Sequence, residues 1–154
     1  MIAVLQRIKS ASVTADGVPS GECGRGFLIL LGVLAGDTEE EALLLAEKIA
    51  KFRIFSDEND KMNLALGDIG GGVLIVSNFT LGANYSHGNR PDFMASAHPS
   101  VAEPLYEYFV ARMRERVSHV ATGVFGADMS IDMVADGPVT VVMDSEKLKK
   151  RKSV

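Results

Sequence analysis

The sequence predicts a single α+β domain built on a mixed or antiparallel sheet, and three observations predict it. The chain has 154 residues, one domain's worth and enough to bury a core without metal or disulfide staples. Hydrophobic residues make up 47% and charged residues 23%, an ordinary globular mix. The apolar residues fall into the order β-β-α-β-loop-α-β-β, which is not the regular alternation of a doubly wound fold.

Residues 2–15 read as a first strand, with Ile2, Val4, Ile8 and Val13 set among polar residues. The strand stops at the turn-rich cluster from Asp16 to Gly21. Residues 26–34, GFLILLGVL, are a near-continuous apolar run and read as a buried strand that pairs with the first as a hairpin. Residues 38–53 read as a helix. Thr38 and Glu41 stand at capping-box spacing, and Leu45, Ile49 and Phe52 recur at helical spacing. The acidic run at Asp37 and Glu39 to Glu41 favours the positive end of that helix and is not read as a metal site.

Residues 56–61 form a polar loop that lacks the glycine and final glutamate of an EF-hand. Gly70, Gly71 and Gly72 precede a strand and no Gly-Lys-Ser/Thr follows, so they mark a turn and not a phosphate cradle. The strand is VLIVSNFTL, residues 73–81. Residues 82–98 form a long loop containing GNRPDF, and a loop of that length in a compact domain is usually functional. A second helix spans 100–117, opened by Ser100 and Glu103 with Pro104 in its first turn. Leu105, Phe109, Met113 and Val117 form its apolar stripe. Met129, Ile131 and Met133, then Val139, Val141 and Met143, alternate as two strands around a turn at Asp136-Gly137-Pro138.

The formal net charge of −4 is unevenly distributed. Residues 147–152 carry five positive charges; the remainder holds 11 basic and 20 acidic residues, a body of net −9. The expected division is a domain over 1–146 and a flexible basic tail over 147–154. A body this acidic disfavours a generic phosphate-binding surface but leaves room for a local patch or a tail contact. The single cysteine, Cys23, excludes an internal disulfide and a cysteine-rich zinc site. The N-terminal stretch does not read as a secretory signal, and no apolar run is long enough to span a membrane. The expected address is the cytoplasm, with no membrane partner.

No nucleophile elbow, metalloprotease motif or P-loop is present. His87, His98 and His119 fit no metal spacing, so neither metal nor cofactor is expected. Two segments stand out. Ser77-Asn78-Phe79-Thr80 places hydroxyls and an amide at the end of an apolar strand, where the plainer reading is a strand leaving the core. Asp136-Gly137-Pro138 reads plainly as a turn, yet carbonyls beside a proline can also be left facing a ligand.

In this order the segments resemble the D-aminoacyl-tRNA deacylases, formerly D-tyrosyl-tRNA deacylases. The resemblance covers about residues 1–145. It runs from MIAVLQRIKSASVTADG and LLGVLAGDTEEEA through KIAKFRIFSDENDKMN, VLIVSNFTL and HGNRPDF to LYEYFV, TGVFGADM and VADGPVTVVMDS. It implies a barrel-like α+β domain with two main helices, working as a homodimer with active sites at the interface. The implied reaction hydrolyses the ester between a D-amino acid and the 3′-terminal ribose of tRNA, a chiral proofreading step of translation. Glycyl-tRNA, including glycine mischarged on tRNA-Ala, is an implied substrate as well.

By the same resemblance, Gly137-Pro138 is a cis motif that enters the partner's pocket, binds the substrate amino group and leaves no room for an L side chain. Arg7 matches the arginine that holds the motif. Ser77, Asn78, Phe79 and Thr80 match the strand end beside the scissile ester, and Phe125 and Met129 match pocket residues. Two positions depart: Asn78 stands where the family has Gln, and Ala135 where it has Asn.

An aminoacyl ester is already activated, so positioning and oxyanion stabilisation near Phe79-Thr80 suffice without a strong nucleophile. A nucleophilic Thr80 would need a nearby base that the local sequence does not offer. Water attack is therefore preferred, with Thr80 orienting groups and the substrate's own 2′-hydroxyl assisting. Because D and L esters share every functional group, selectivity calls for a rigid repulsive wall, which glycine would pass. Two alternatives remain open: a non-catalytic RNA-binding module, and an esterase of another small aminoacyl ester.

Overall fold

The computed structural model describes residues 1–149. Its centre is β1 (Ile2–Ala15), a 14-residue strand with partners along both edges. One edge is shared by β2 (Val18–Cys23), opposite Ala11 to Ala15, and β3 (Gly26–Gly32), opposite Ile2 to Ile8. The other edge pairs along nearly its whole length with β8 (Met129–Asp144). These pairings are antiparallel. Beyond β3, the strands β6 (Gly72–Ser77) and β7 (His119–Thr122) add in parallel. The Ser20 hydroxyl of β2 donates to the Thr122 carbonyl of β7 at 2.9 Å, which brings the far edges together and nearly closes the sheet into a barrel. A short hairpin, β4 (Phe55–Ser56) with β5 (Met62–Leu64), stands apart from it.

The apolar run of β3 is explained by burial on both faces. Phe27, Ile29 and Leu31 face the helices, whereas Leu28 joins Ile8, Val13, Leu74 and Val76 in a second cluster between the strands. The helical layer is α1 (Glu39–Lys51) and α2 (Pro99–Arg114). They bury Leu45 and Ile49, and Leu105, Phe109 and Met113, against the first face.

The capping box of α1 forms as expected: the Glu41 carboxylate accepts from the Thr38 backbone N–H at 2.6 Å and from its hydroxyl at 2.7 Å. Burial pushes the Glu41 carboxyl up, but hydrogen bonds from Lys149 and Thr38 outweigh it and hold the group at about 2. Lys149 lies 2.8 Å from both Glu41 and Glu146, at the end of a 3-10 turn over Ser145–Leu148. Of the basic segment from 147 onward, Lys147 to Lys149 are described, and 150–154 lie outside the described residues.

Four expectations are corrected. The first two predicted strands do pair antiparallel, but β2 lies between them, hidden in the turn-rich cluster whose tight turn is only Asp16-Gly17. The strand over 73–81 ends at Ser77, and Phe79–Gly82 is a 3-10 turn. Helix α2 begins at Pro99, so Pro104 falls in its second turn, and the cap is His98 instead of a Ser100 box. The N–H missing from Pro104 would have served the Ser100 carbonyl, and both residues are solvent-exposed, so water can take its place. Finally, residues 129–144 are one continuous strand, not a hairpin. Ile8 pairs with Ala135 and Gln6 with Thr140, so the residues between them bulge out of the ladder. The strand β7 was not foreseen: its four residues pair only with a distant parallel strand.

Candidate active site

Strand β6 ends where Asn78 turns the chain. The Asn78 Oδ1 accepts from the Thr80 N–H at 3.2 Å and from the Thr80 hydroxyl, which caps the 3-10 turn over Phe79–Gly82. The Asn78 N–H donates to the Leu31 carbonyl at 2.8 Å, tying the turn to β3. A Cβ on Gly32 would lie 2.8 Å from the Leu81 Cβ and 3.1 Å from the Asn78 carbonyl oxygen, so only glycine at 32 lets the turn sit this close. Three consequences follow for the polar groups. The Thr80 hydroxyl is turned back onto an amide oxygen, which is not a base. The Asn78 Nδ2 has no acceptor among the described residues. The Phe79 N–H, at the first position of the turn, has no acceptor among the described residues.

Beside this turn lies a cavity of about 760 Å³. Ser77 lines it from the end of β6, and Asn78 and Phe79 from the turn that follows. Leu30, Val76 and Ile131 line it from the barrel interior, Ala102 and Tyr106 from α2, Phe125 from the connection into β8, and Met129 from the start of β8. The long loop adds Phe93, Ser96 and His98. Phe79 and Phe93 meet edge to face with centroids 5.1 Å apart. The Tyr106 hydroxyl donates to the buried Ile75 carbonyl at 2.9 Å, and burial pushes its phenol up to about 12, so it stays neutral. The Ser96 hydroxyl donates to the Phe79 carbonyl at 2.7 Å and braces the turn from outside.

The cavity thus gathers five of the predicted residues: Ser77, Asn78, Phe79, Phe125 and Met129. Thr80 adjoins it without lining it. Arg7, Gly137 and Pro138 lie elsewhere. Arg7 on β1 is buried, and its Nη1 donates to the Ile54 carbonyl at 2.7 Å. Its Nε donates to the Asp136 carbonyl at 3.4 Å and lies 3.3 Å from the Asp136 carboxylate. This grip fixes the β8 bulge, in which the Gly137-Pro138 bond is cis. Gly137 has φ of 120°, and a Cβ there would lie 2.9 Å from the Val139 backbone nitrogen, so glycine is required.

The profile of the D-Tyr-tRNA(Tyr) deacylase family matches residues 4–144 of this sequence. The chain belongs to the D-aminoacyl-tRNA deacylase family, hydrolases of aminoacyl-tRNA esters. Family members similar to it include the D-aminoacyl-tRNA deacylase of Chloroflexus aurantiacus, 54% identical over 97% of this chain and 93% of that one. Those of Koribacter versatilis and Thermus aquaticus are 54% and 53% identical, each over 96% of this chain and 99% and 97% of theirs. Among solved structures, one described as the c-Myc DNA Unwinding Element Binding Protein superposes with a TM-score of 0.87. It is 37% identical over 94% of this chain and 98% of its own. A probable eukaryotic D-amino acid tRNA deacylase shares the fold, with a TM-score of 0.79 at 18% identity over 92% of this chain and 97% of its own.

Within this deacylase fold, sequence reasoning missed Leu30, Ser96, His98 and Tyr106 as cavity residues. Phe93 had a signal, since GNRPDF sits in a loop long enough to suggest function. Leu30 and Tyr106 are apolar-run and helix residues whose neighbours are core. Ser96 and His98 reach the cavity through the path of a loop that no local pattern encodes.

Proposed function

We propose that this chain hydrolyses the ester of D-aminoacyl-tRNA, and of glycyl-tRNA including glycine misplaced on tRNA-Ala, releasing free tRNA and the amino acid in the cytoplasm. The observation that carries this reading is the polar equipment of the β6 end. It offers two free donors, the Phe79 N–H and the Asn78 Nδ2, beside an apolar cavity. No cavity-lining hydroxyl is hydrogen-bonded to a carboxylate or imidazole among the described residues. Such a site suits an ester that is already activated. Water attacks the ester carbonyl and the two donors receive the developing oxyanion; the bond from the carbonyl carbon to the 3′-oxygen then breaks, and the water's proton passes through the substrate's 2′-hydroxyl to the departing 3′-oxygen. Thr80 acts through Asn78 and does not attack.

Selection against L substrates is assigned to Gly137-Pro138 of a second copy in a homodimer. Within one chain, the bulge lies three ladder spacings from Ser77, β8 to β1 to β3 to β6, about 14 Å along the sheet. It is also displaced along the strands. Arg7 stands opposite Phe27, and Ser77 stands opposite Leu31, four residues further on, about 13 Å. The motif does not line the cavity of its own chain, which favours a site completed by the partner. The wall it forms excludes an L side chain and passes glycine.

The test is deacylation of paired D- and L-tyrosyl-tRNA with glycyl-tRNA alongside. Loss of the D and glycyl esters with retention of the L ester is expected. Binding of D-tyrosyl-tRNA without ester loss would overturn the reading in favour of an RNA-binding module. Normal cleavage of a substrate with a 2′-deoxy terminal adenosine would remove the 2′-hydroxyl from the mechanism.

A further inference from the structure

We propose that His98 determines specificity for the terminal nucleoside of the substrate, through a fixed Nε2–H donor. The inference rests on the deacylase reading above. His98 lines the same cavity as Ser77, Asn78 and Phe79, from the start of α2. Its Nδ1 accepts the Ser100 backbone N–H at 3.1 Å. A backbone amide can only donate, so this nitrogen must carry its lone pair, and the neutral ring holds its proton on Nε2. The same bond caps the helix and holds the ring in place. The Ser100 hydroxyl, 2.8 Å from Nδ1, adds a second restraint. Among the described residues Nε2 has no partner of its own. The ring is thus a positioned donor at the edge of a mostly apolar cavity.

The part of the substrate that it serves follows from what varies and what does not. The amino acid on the tRNA varies and can be apolar. A fixed donor facing an apolar side chain would be left unpaired and desolvated, at a cost to binding. The terminal nucleoside of every tRNA is the same adenosine. Its base offers ring nitrogens as in-plane acceptors and flat faces for aromatic contact, and Phe93 and Phe125 supply aromatic surface in this cavity. A single fixed donor suits the invariant, flat, acceptor-rich end.

The experiment uses His98→Ser, which keeps a good helix cap and removes the imidazole with its distal donor. Wild type and variant are compared on D-tyrosyl-tRNA ending in adenosine or in its 1-deaza, 3-deaza or 7-deaza analogue. For the natural end, the variant is expected to raise KM about five- to tenfold, with kcat little changed and an unchanged melting temperature. One deaza analogue should impose the same loss on the wild type and no further loss on the variant. A variant indistinguishable from wild type in KM overturns the proposal. So do losses that add with all three analogues, and so does a loss whose size follows the D-amino acid instead of the base. A wild-type protein that leaves D-tyrosyl-tRNA intact overturns the deacylase reading itself, and this inference with it.

Discussion

The end of β6 and the bulge of β8 are both interruptions of a strand, and they are built in opposite ways. The β6 interruption is local: Asn78 caps a turn two residues ahead. The β8 interruption is held from a distance, by an arginine 129 positions earlier in the chain. The first sits on a cavity and leaves donors free. The second lies outside that cavity in its own chain and presents an exposed Gly137-Pro138. The contrast separates two tasks. On the proposed reading, chemistry falls to a turn capped by its own residues, and selection to a bulge gripped by a buried arginine.

The largest expected effect breaks the β6 half. Asn78→Ala removes both the cap and a donor and should lower kcat about 10²- to 10³-fold. Asn78→Asp keeps an acceptor for Thr80 but loses the Nδ2 donor. A kcat as low as that of the alanine variant, with an undiminished melting temperature, assigns the loss to the donor. Recovery of kcat in the aspartate variant would assign it to the cap. The β8 half comes next. Gly137→Val forces a side chain into a positive-φ position against Val139 and should cost about 10²-fold in kcat/KM for D-aminoacyl-tRNA. Mixing this variant with Asn78→Ala sharpens the comparison. If the halves come from different chains, heterodimers regain one intact site, and about one quarter of the wild-type activity returns. If both halves act within a chain, nothing returns.

The smallest effect concerns the scaffold that both halves share. The Glu41 carboxyl is held at about 2, below its ordinary 4.5, chiefly because hydrogen bonds from Lys149 and Thr38 overcome burial. Its stabilisation is therefore complete above pH 4.5 and is lost as pH falls through about 2. Thermal melts of Glu41→Gln should lie below wild type at neutral pH and converge on it toward pH 2, with kcat unchanged at pH 7. Parallel melting curves over that range would show that Glu41 is not a source of the acid sensitivity.

Legibility followed the same division between local and distant. The Thr38 cap of α1 could be read because its partner is three residues away. The apolar runs of β3 and β6 could be read because burial on both faces leaves no polar position. Asp136-Gly137-Pro138 reads locally as a turn, because a turn and a bulge use the same residues. Only the pairing of Gln6 and Ile8 across it, and the reach of Arg7, make it a bulge. The family resemblance implied that Arg7 holds the motif, and the bulge itself is visible only in the pairing. His98 was illegible as a cap because histidine is not among the usual capping residues, and as a cavity residue because loop path is a tertiary property.

Strand β8 carries more than its own pairing. Met129 and Ile131 near its start line the cavity of their own chain, and Gly137-Pro138, assigned to the neighbour's site, lies some eight residues along it, roughly 25 Å. In the proposed dimer this one strand is a ruler that sets the spacing between the two reaction centres. An inserted or deleted residue between 129 and 137 would shift the floor of one site against the selector of the other. The stretch should accept changes of side chain far more readily than any change of length.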